Sequence, residues 1–448
     1  MSGWVVLLIL VLFGAPGLLL RPRGNTFFLA GREAGTLSVT CSLAATCLGA
    51  SATIGVVGHA YSLGWTAFWW LGAGGIGMVL LGTTWAQAMR SRPETVTLPQ
   101  WAGSVYGEPA RILSASLIVV MWTGVLAAQW VAAGTIVACL SSLSARNGMA
   151  MVAAVAVAYT AWGGQRAVLR TDMLQLVLIV IAVGTALAGA LTLAPHGTTP
   201  VDFPGLGSGD LVALIVVVGG MYVVGPDLCS RVLVARDGRV ARRGAVIAGV
   251  VMLPVSAALV KIGMVIRSSG VELASAREAL PWLISRSGVL GDGIGALVSI
   301  GLLGAMVSSA DTCLLTAASV GELDLLGRSR APSRQSLTAR GLVCLVGGVS
   351  LVVALVRPVI IGNLLLAYAF YTGGLLVPLL LLGRRQCAEA VPKPWVWAAM
   401  VVGGGGPVAL LMSKRVHSMS SAGLAGVCLC ALVMLVGGTA RRLSRGGQ

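Results

Sequence analysis

Charge is scarce in this 448-residue chain: Asp, Glu, Lys and Arg together make up 10% of it, and aromatic residues only 5%. No polar run is long enough to fold as a domain of its own. The hydrophobic share is 57% and the mean hydropathy is +0.92. Together these exclude a soluble globular domain and place the chain among helical proteins that cross a bilayer many times. The nine cysteines include no CxxC pair and no Cys/His cluster, and Cys428 and Cys430 lie inside an apolar run. Neither a disulfide framework nor a metal site is indicated. A nucleophile–base pair and a nucleotide-binding loop are also missing, so no enzyme chemistry is expected. Of the charged residues the acidic ones are fewer, 15 against 31 Lys and Arg, for a net charge of +16. In so apolar a chain the excess arginine sets membrane orientation, and nucleic acid is not an expected partner.

What is abundant is apolar sequence, cut into runs of spanning length. Trp4 to Leu20 form the first, with Arg21 and Arg23 just after it and no basic residue before it. That charge order is the reverse of a signal peptide's and predicts a retained span with its N-terminus outside. Further spans are expected at 36–58, 64–89, 112–143, 148–162, 172–194, 210–228, 244–266, 291–320, 340–357, 359–382, 394–412 and 419–438. With the first, that is about thirteen. Alternating from an outside N-terminus puts most of the basic residues on the inner side, among them Arg90, Arg92, Arg166, Arg170, Arg231, Arg242, Arg243, Arg384 and Arg385. This bias places the C-terminus in the cytoplasm and the chain in the plasma (inner) membrane. The outer segment 271–287 has the spacing of an amphipathic helix lying at the interface.

Within this scheme the span 36–58 is unusual. Thr40-Cys-Ser-Leu-Ala-Ala-Thr-Cys-Leu-Gly-Ala-Ser-Ala-Thr-Ile-Gly-Val-Val-Gly58 is rich in small and hydroxylated residues where a lipid-facing helix would carry Leu, Ile and Val. Its glycines make a local break cheap. A break at membrane depth frees carbonyls, which is tolerable only where something polar sits. The alternative is a tightly packed inner helix with no ligand. A second interruption is expected at Gly225-Pro226-Asp227, where Pro removes a backbone donor; Asp227 either faces the interior or pairs with Arg231 at the inner boundary. In 291–320, Ala305, Ser308, Ser309 and Thr312 share one helix face, with Asp311 beside them. Two adjacent serines and a carboxylate exceed what packing needs, and hydroxyls with freed carbonyls suit a monovalent cation. Asp172 either complements a helix N-terminus or lies on the inward path of a cation. Gln129 gives the long 112–143 span a polar group. Lys261 can snorkel, pair with an acid or meet an anionic substrate.

The two interrupted helices begin near 36 and 210, each leading a block of five spans. An odd number of spans inverts the second block relative to the first, the inverted-repeat transporter plan with its site at mid-membrane. The expected organisation is therefore one all-α transmembrane domain over 1–448. It has a leading helix and inner loop (1–35), a first five-helix repeat (36–194), an inverted second repeat (210–382), and two trailing helices with a basic tail (394–448).

Phe27-Phe-Leu-Ala-Gly-Arg32, Ser42-Leu-Ala-Ala-Thr-Cys-Leu-Gly-Ala-Ser-Ala-Thr-Ile-Gly55, Tyr159-Thr-Ala-Trp-Gly-Gly164, Thr171-Asp172 with Gln175, Gly225-Pro-Asp-Leu-Cys-Ser-Arg231, Ala235-Arg-Asp237 and Ser308-Ser-Ala-Asp311 occur in this order. Together they resemble the sodium:solute symporter family, whose members have the leucine-transporter-type fold. The resemblance covers roughly residues 26–385 and implies Na+ as the coupling ion. It implies a sodium site made by the carbonyls of Ala45, Leu48 and Ala305 and the hydroxyls of Ser308 and Ser309. Asp172 corresponds to the family's inner carboxylate, for sodium exit or a second sodium site. Where the family's sugar carriers have Asn and Gln in the first core helix, this chain has Cys47 and Ala52, which argues against hexoses. Thr46, Ser51, Thr53, Gln129, Tyr222 and Asp227 remain around the inferred pocket, suiting a small amino acid, carboxylate or vitamin-like solute. The function this implies is sodium-coupled symport by alternating access, for which one copy of the chain in its bilayer suffices. A transporter-like sensor that binds solute without net flux is the alternative.

Overall fold

The computed structural model describes residues 7, 8, 11, 26–92, 95–193, 202–327, 332–413 and 418–446. Among these there is no β-strand, only a single parallel bridge between Ala34 and Ala235. The expected first span over Trp4–Leu20 falls almost wholly outside the described residues.

After a helical turn at Thr26–Leu29, the chain passes through Ala30, Gly31 and Arg32, all three with left-handed φ of 49°, 77° and 57°. Such a run is unfavourable for Ala and Arg, and neighbouring groups hold it. Phe27 packs on Val168, Leu315 and Ala339, while Arg32 Nη2 donates to the Thr95 carbonyl at 2.8 Å. Then follow α1 (Thr36–Cys47), a π turn (Ser51–Gly55), α2 (Val56–Leu63), α3 (Phe68–Leu80), α4 (Leu98–Tyr106) and α5 (Glu108–Leu140). The first half closes with α6 (Ala145–Leu191). The second half runs α7 (Ser208–Val224), α8 (Pro226–Leu233), α9 (Gly238–Ser268), α10 (Ala279–Ser285), α11 (Gly291–Val320), α12 (Pro332–Val356) and α13 (Ile360–Leu382). Two helices trail it, α14 (Lys393–Met412) and α15 (Met419–Gly446).

Ten helical stretches among the described residues are long and apolar enough to cross a membrane, and the chain is a multi-pass membrane protein. The expectation of about thirteen spans divides the chain differently. The runs 148–162 and 172–194 fuse into α6, 47 residues long, and the second half of 36–58 runs on into one stretch, Ser51–Arg90. At 1.5 Å per residue α6 is about 70 Å long, enough for two crossings of a ~30 Å core. It is bent rather than straight: Gly164 has φ 59° and ψ −159°, a conformation open to glycine and hostile to every other residue. The glycine lies against the Phe27 carbonyl, so the bend also seats the segment that leads into α1. Arg166 and Arg170, expected in a loop, therefore sit on the exposed face of a helix. The Arg166 Nη2 pairs with Glu33 at 3.3 Å.

The expected interfacial helix at 271–287 is a 3-10 turn (Ala276–Glu278) followed by α10, which buries Ala279, Leu280, Leu283 and Ile284. α11 is the most buried spanning stretch, packed on α5, α6 and α12. Its position brings the Ser308–Asp311 face against α1, α6 and α8.

Candidate functional site

Both interruptions are present, and their freed backbone groups have named partners. α1 ends at Cys47, and Leu48 N–H caps the Ala45 carbonyl at 3.2 Å. In the broken stretch, Ala50 N–H donates to Gln129 Oε1 at 2.8 Å. The Thr46 carbonyl accepts from Ser309 Oγ at 2.7 Å. The second break is at Gly225, between α7 and Pro226 at the head of α8, and the Val224 carbonyl there accepts from Tyr371 at 2.6 Å. The polar side chains at 129, 309 and 371 thus take over what a continuous helix would have satisfied internally.

Ser309 also donates to the Ala305 carbonyl at 3.1 Å, so its hydroxyl lies between α1 and α11. Ser308 turns the other way and donates to Asp172 Oδ1 at 2.5 Å. The other carboxylate oxygen, Oδ2, accepts from Ser42. Of the five residues assigned to the sodium site, Ser309 bonds the broken α1 directly, Ala305 accepts from that same hydroxyl within α11, and Ser308 is turned to Asp172 of α6. The α1 carbonyl that Ser309 reaches is Thr46, one residue from Ala45. The Ala45 carbonyl meets Leu48, and both of those residues are fully buried at the break.

Arg231 requires a correction. The charge pattern puts it in an inner loop; in the structure it is on α8, fully buried. Its Nε donates to Ser42 at 2.9 Å, Nη2 donates to Thr312, and Nη1 donates to Ser230 at 3.3 Å. Its carboxylate is Asp172, 3.8 Å away, rather than Asp227. Asp172 in turn is no helix-end residue: it is fully buried in mid-α6, linked to α1, α8 and α11. Asp311 completes the network, accepting from Tyr159 at 2.5 Å. Sequence reasoning misses Arg231, Ser42 and Tyr159 as members of this network.

Beside the network lies a pocket lined by Thr46, Cys47, Ser51, Gln129, Tyr222 and Asp227, six of the eight positions expected around a solute. Ala52 and Thr53 do not line it: both are buried elsewhere in the π turn, and the Thr53 hydroxyl bonds the Gly49 carbonyl at 2.9 Å. Trp122, Cys313 and Tyr368 join the lining, none of them singled out by the sequence. Lys261 is exposed on α9 and takes no part in the pocket. The free volume is ≈30 Å³, about one water molecule's share of the liquid. Gly49 is part of its wall, and a methyl placed there would collide with Ser309 Oγ and fall 2.8 Å from Gln129 Nε2. Gly49→Ala is therefore expected to reduce solute binding at least about tenfold through lost space and displaced Ser309 and Gln129 side chains. Calorimetric titration against the parent protein checks this.

Comparison with known proteins follows the same lines. Residues 27–199 match the sodium:solute symporter family. The family resemblance carried by the motifs of that stretch is thereby upheld. The Escherichia coli (strain K12) sodium/pantothenate symporter is 26% identical over 273 residues, 55% of this chain and 56% of that protein. The match thus spans little more than half of the relative's length. In fold the chain is similar to a Na+-coupled sialic acid symporter in a substrate-bound, outward-open state. The TM-score is 0.81 at 14% identity, over 98% of this chain and 97% of that one. It is also similar to Mhp1, a nucleobase-cation-symport-1 family transporter in a closed conformation with bromovinylhydantoin bound. That comparison gives a TM-score of 0.63 at 17% identity, covering 95% and 96%. All three are transporters, and the all-helical fold that this chain shares with the two solved structures is the fold class expected from the sequence.

Proposed function

We propose that the chain is a sodium-coupled symporter that imports a small organic solute by alternating access. The observation that supports this most is the Ser309 hydroxyl held between the Thr46 carbonyl of the broken α1 and the Ala305 carbonyl of α11. Hydroxyls and uncommitted carbonyls from two separate helices are the ligands a monovalent cation takes from a protein. The proposed sodium ligands are the Ala45, Leu48 and Ala305 carbonyls and the Ser308 and Ser309 hydroxyls. A hydroxyl that donates a hydrogen bond keeps lone pairs to turn toward a cation, and the Ser309 hydroxyl already reaches across the α1–α11 seam to the Thr46 carbonyl, with the Ser308 hydroxyl beside it on α11. Asp172, hydrogen-bonded to Ser308, offers the ion its next stop toward the inner side. Sodium binding fastens α1 to α11 and completes the adjoining pocket.

The two breaks head the two five-span blocks, 36–194 and 210–382, which supports the inverted-repeat reading. The loop charges support an outside N-terminus and a cytoplasmic C-terminus. One charge falling through about 100 mV releases roughly 2.3 kcal/mol, and a tenfold sodium gradient adds about 1.4 kcal/mol. Together these sustain a solute gradient of about 10²–10³-fold per ion. Solute-dependent uptake of labelled sodium into proteoliposomes is the test: saturable, mutually dependent fluxes are expected. Solute binding with no flux of either species would turn the assignment toward a sensor.

A further inference from the structure

We infer that the solute carries a positive charge, an ammonium group received by Asp227. This rests on the symport reading for the location of the site and adds the chemistry of its cargo.

Asp227 lines the pocket and is 9% exposed. Its Oδ1 is buried with no hydrogen-bond partner. A carboxylate oxygen left this way is costly, and at membrane depth more so. The nearest basic residue on its own helix is Arg231, whose three nitrogens are committed to Ser42, Thr312 and Ser230 and which faces Asp172. Among the described residues Asp227 makes no ion pair. The one guanidinium here, Arg231, thus faces Asp172, and Asp311 is held by Tyr159, which leaves Asp227 as the pocket carboxylate with an unengaged oxygen. An ammonium at Asp227 takes up that oxygen.

The pocket walls agree with this. Trp122, Tyr222 and Tyr368 line the same pocket as the carboxylate, and an aromatic wall with one acid is how proteins recognise organic cations. The Trp122 Nε1 is also buried without a partner, so the same solute has a donor available for an oxygen. A free volume near 30 Å³ accepts an ammonium head; the remainder of a solute needs movement of Trp122 or Tyr222. A bare carboxylate solute finds no cation there: Lys261 is remote and Arg231 is engaged elsewhere.

The test uses the full chain in nanodiscs, with four small probes of similar size. Protonated pyrrolidine and tetramethylammonium are the cations, cyclopentanol is neutral, and cyclopentanecarboxylate is the anion. Each is titrated by calorimetry in sodium and in potassium. Both cations are expected to bind at least about tenfold more tightly than the neutral and anionic probes. Asp227→Asn is expected to lower cation affinity at least about 30-fold, while Asp227→Glu keeps the preference. Equal or tighter binding of cyclopentanol or cyclopentanecarboxylate by the parent protein overturns the inference. So does an Asp227→Asn variant with unchanged cation affinity but a tenfold loss of sodium affinity, which would make Asp227 a sodium ligand. Cation preference without any sodium dependence would sink the symport reading and leave this one standing.

Discussion

Asp172→Leu is expected to destabilise the folded protein by about 3–5 kcal/mol, because it strands the guanidinium of Arg231 in a fully buried position. The loss exceeds that of an ordinary core substitution since side chains of three elements, two of them hydrogen-bonded, converge on the carboxylate. Ser42 of α1 and Ser308 of α11 both donate to it, and Arg231 of α8 stands 3.8 Å away. The cause is a charge without its partner, which makes the effect separable from simple loss of packing. Adding Arg231→Met to Asp172→Leu removes the stranded charge, and the double variant is expected to recover more than half of the lost stability. Thermal unfolding midpoints in detergent, read for both single variants and the double one, give the coupling. Equal losses that merely add would show that the two side chains act separately.

The double substitution Ser308→Ala with Ser309→Ala is expected to raise the sodium concentration for half-maximal uptake by roughly 30–150-fold. Each hydroxyl lost is worth about 1–1.5 kcal/mol, and the two together convert to that factor. Threonine at both positions keeps the hydroxyls and is expected to stay within about fivefold of the parent. The pair separates a role in ion binding from one in packing. If the alanine variant concentrates solute with undiminished sodium dependence, the α1–α11 seam is not the ion site.

Much of this arrangement is legible in the sequence because bilayer crossing imposes strong local rules. The break in α1 follows from small residues and glycines at membrane depth, and the break at Gly225 from a Gly-Pro pair. The serine face of α11 follows from helical spacing alone. The loop assigned around Arg166 and Arg170 is not there, since charged residues interrupt an apolar run on paper while a helix can carry them on one exposed face. Arg231 was misplaced for the opposite reason. A basic residue near the end of a span reads as a loop charge, and nothing local reveals that Asp172, 59 positions earlier, has come within reach of it. Trp122 and Tyr368 escape notice because aromatic residues in apolar helices are usually plain packing. Their place in the pocket depends on how α5 and α13 pack, which no short window of sequence encodes.

The parallel bridge between Ala34 and Ala235 has a mechanical consequence. Ala34 N–H donates to the Val234 carbonyl at 3.1 Å, and Arg236 N–H donates to the Ala34 carbonyl at 3.0 Å. One residue of the leader into α1 is thereby stitched to the stretch leaving α8. Arg90 reinforces the seam by donating to the carbonyls of Ala235 and Arg236. Two such backbone bonds hold with about 1–3 kcal/mol net, comparable to the roughly 2.3 kcal/mol that a single charge gains from 100 mV of membrane field. In the transport cycle proposed above, any displacement of the start of α1 therefore pulls on the end of α8 for as long as these bonds hold.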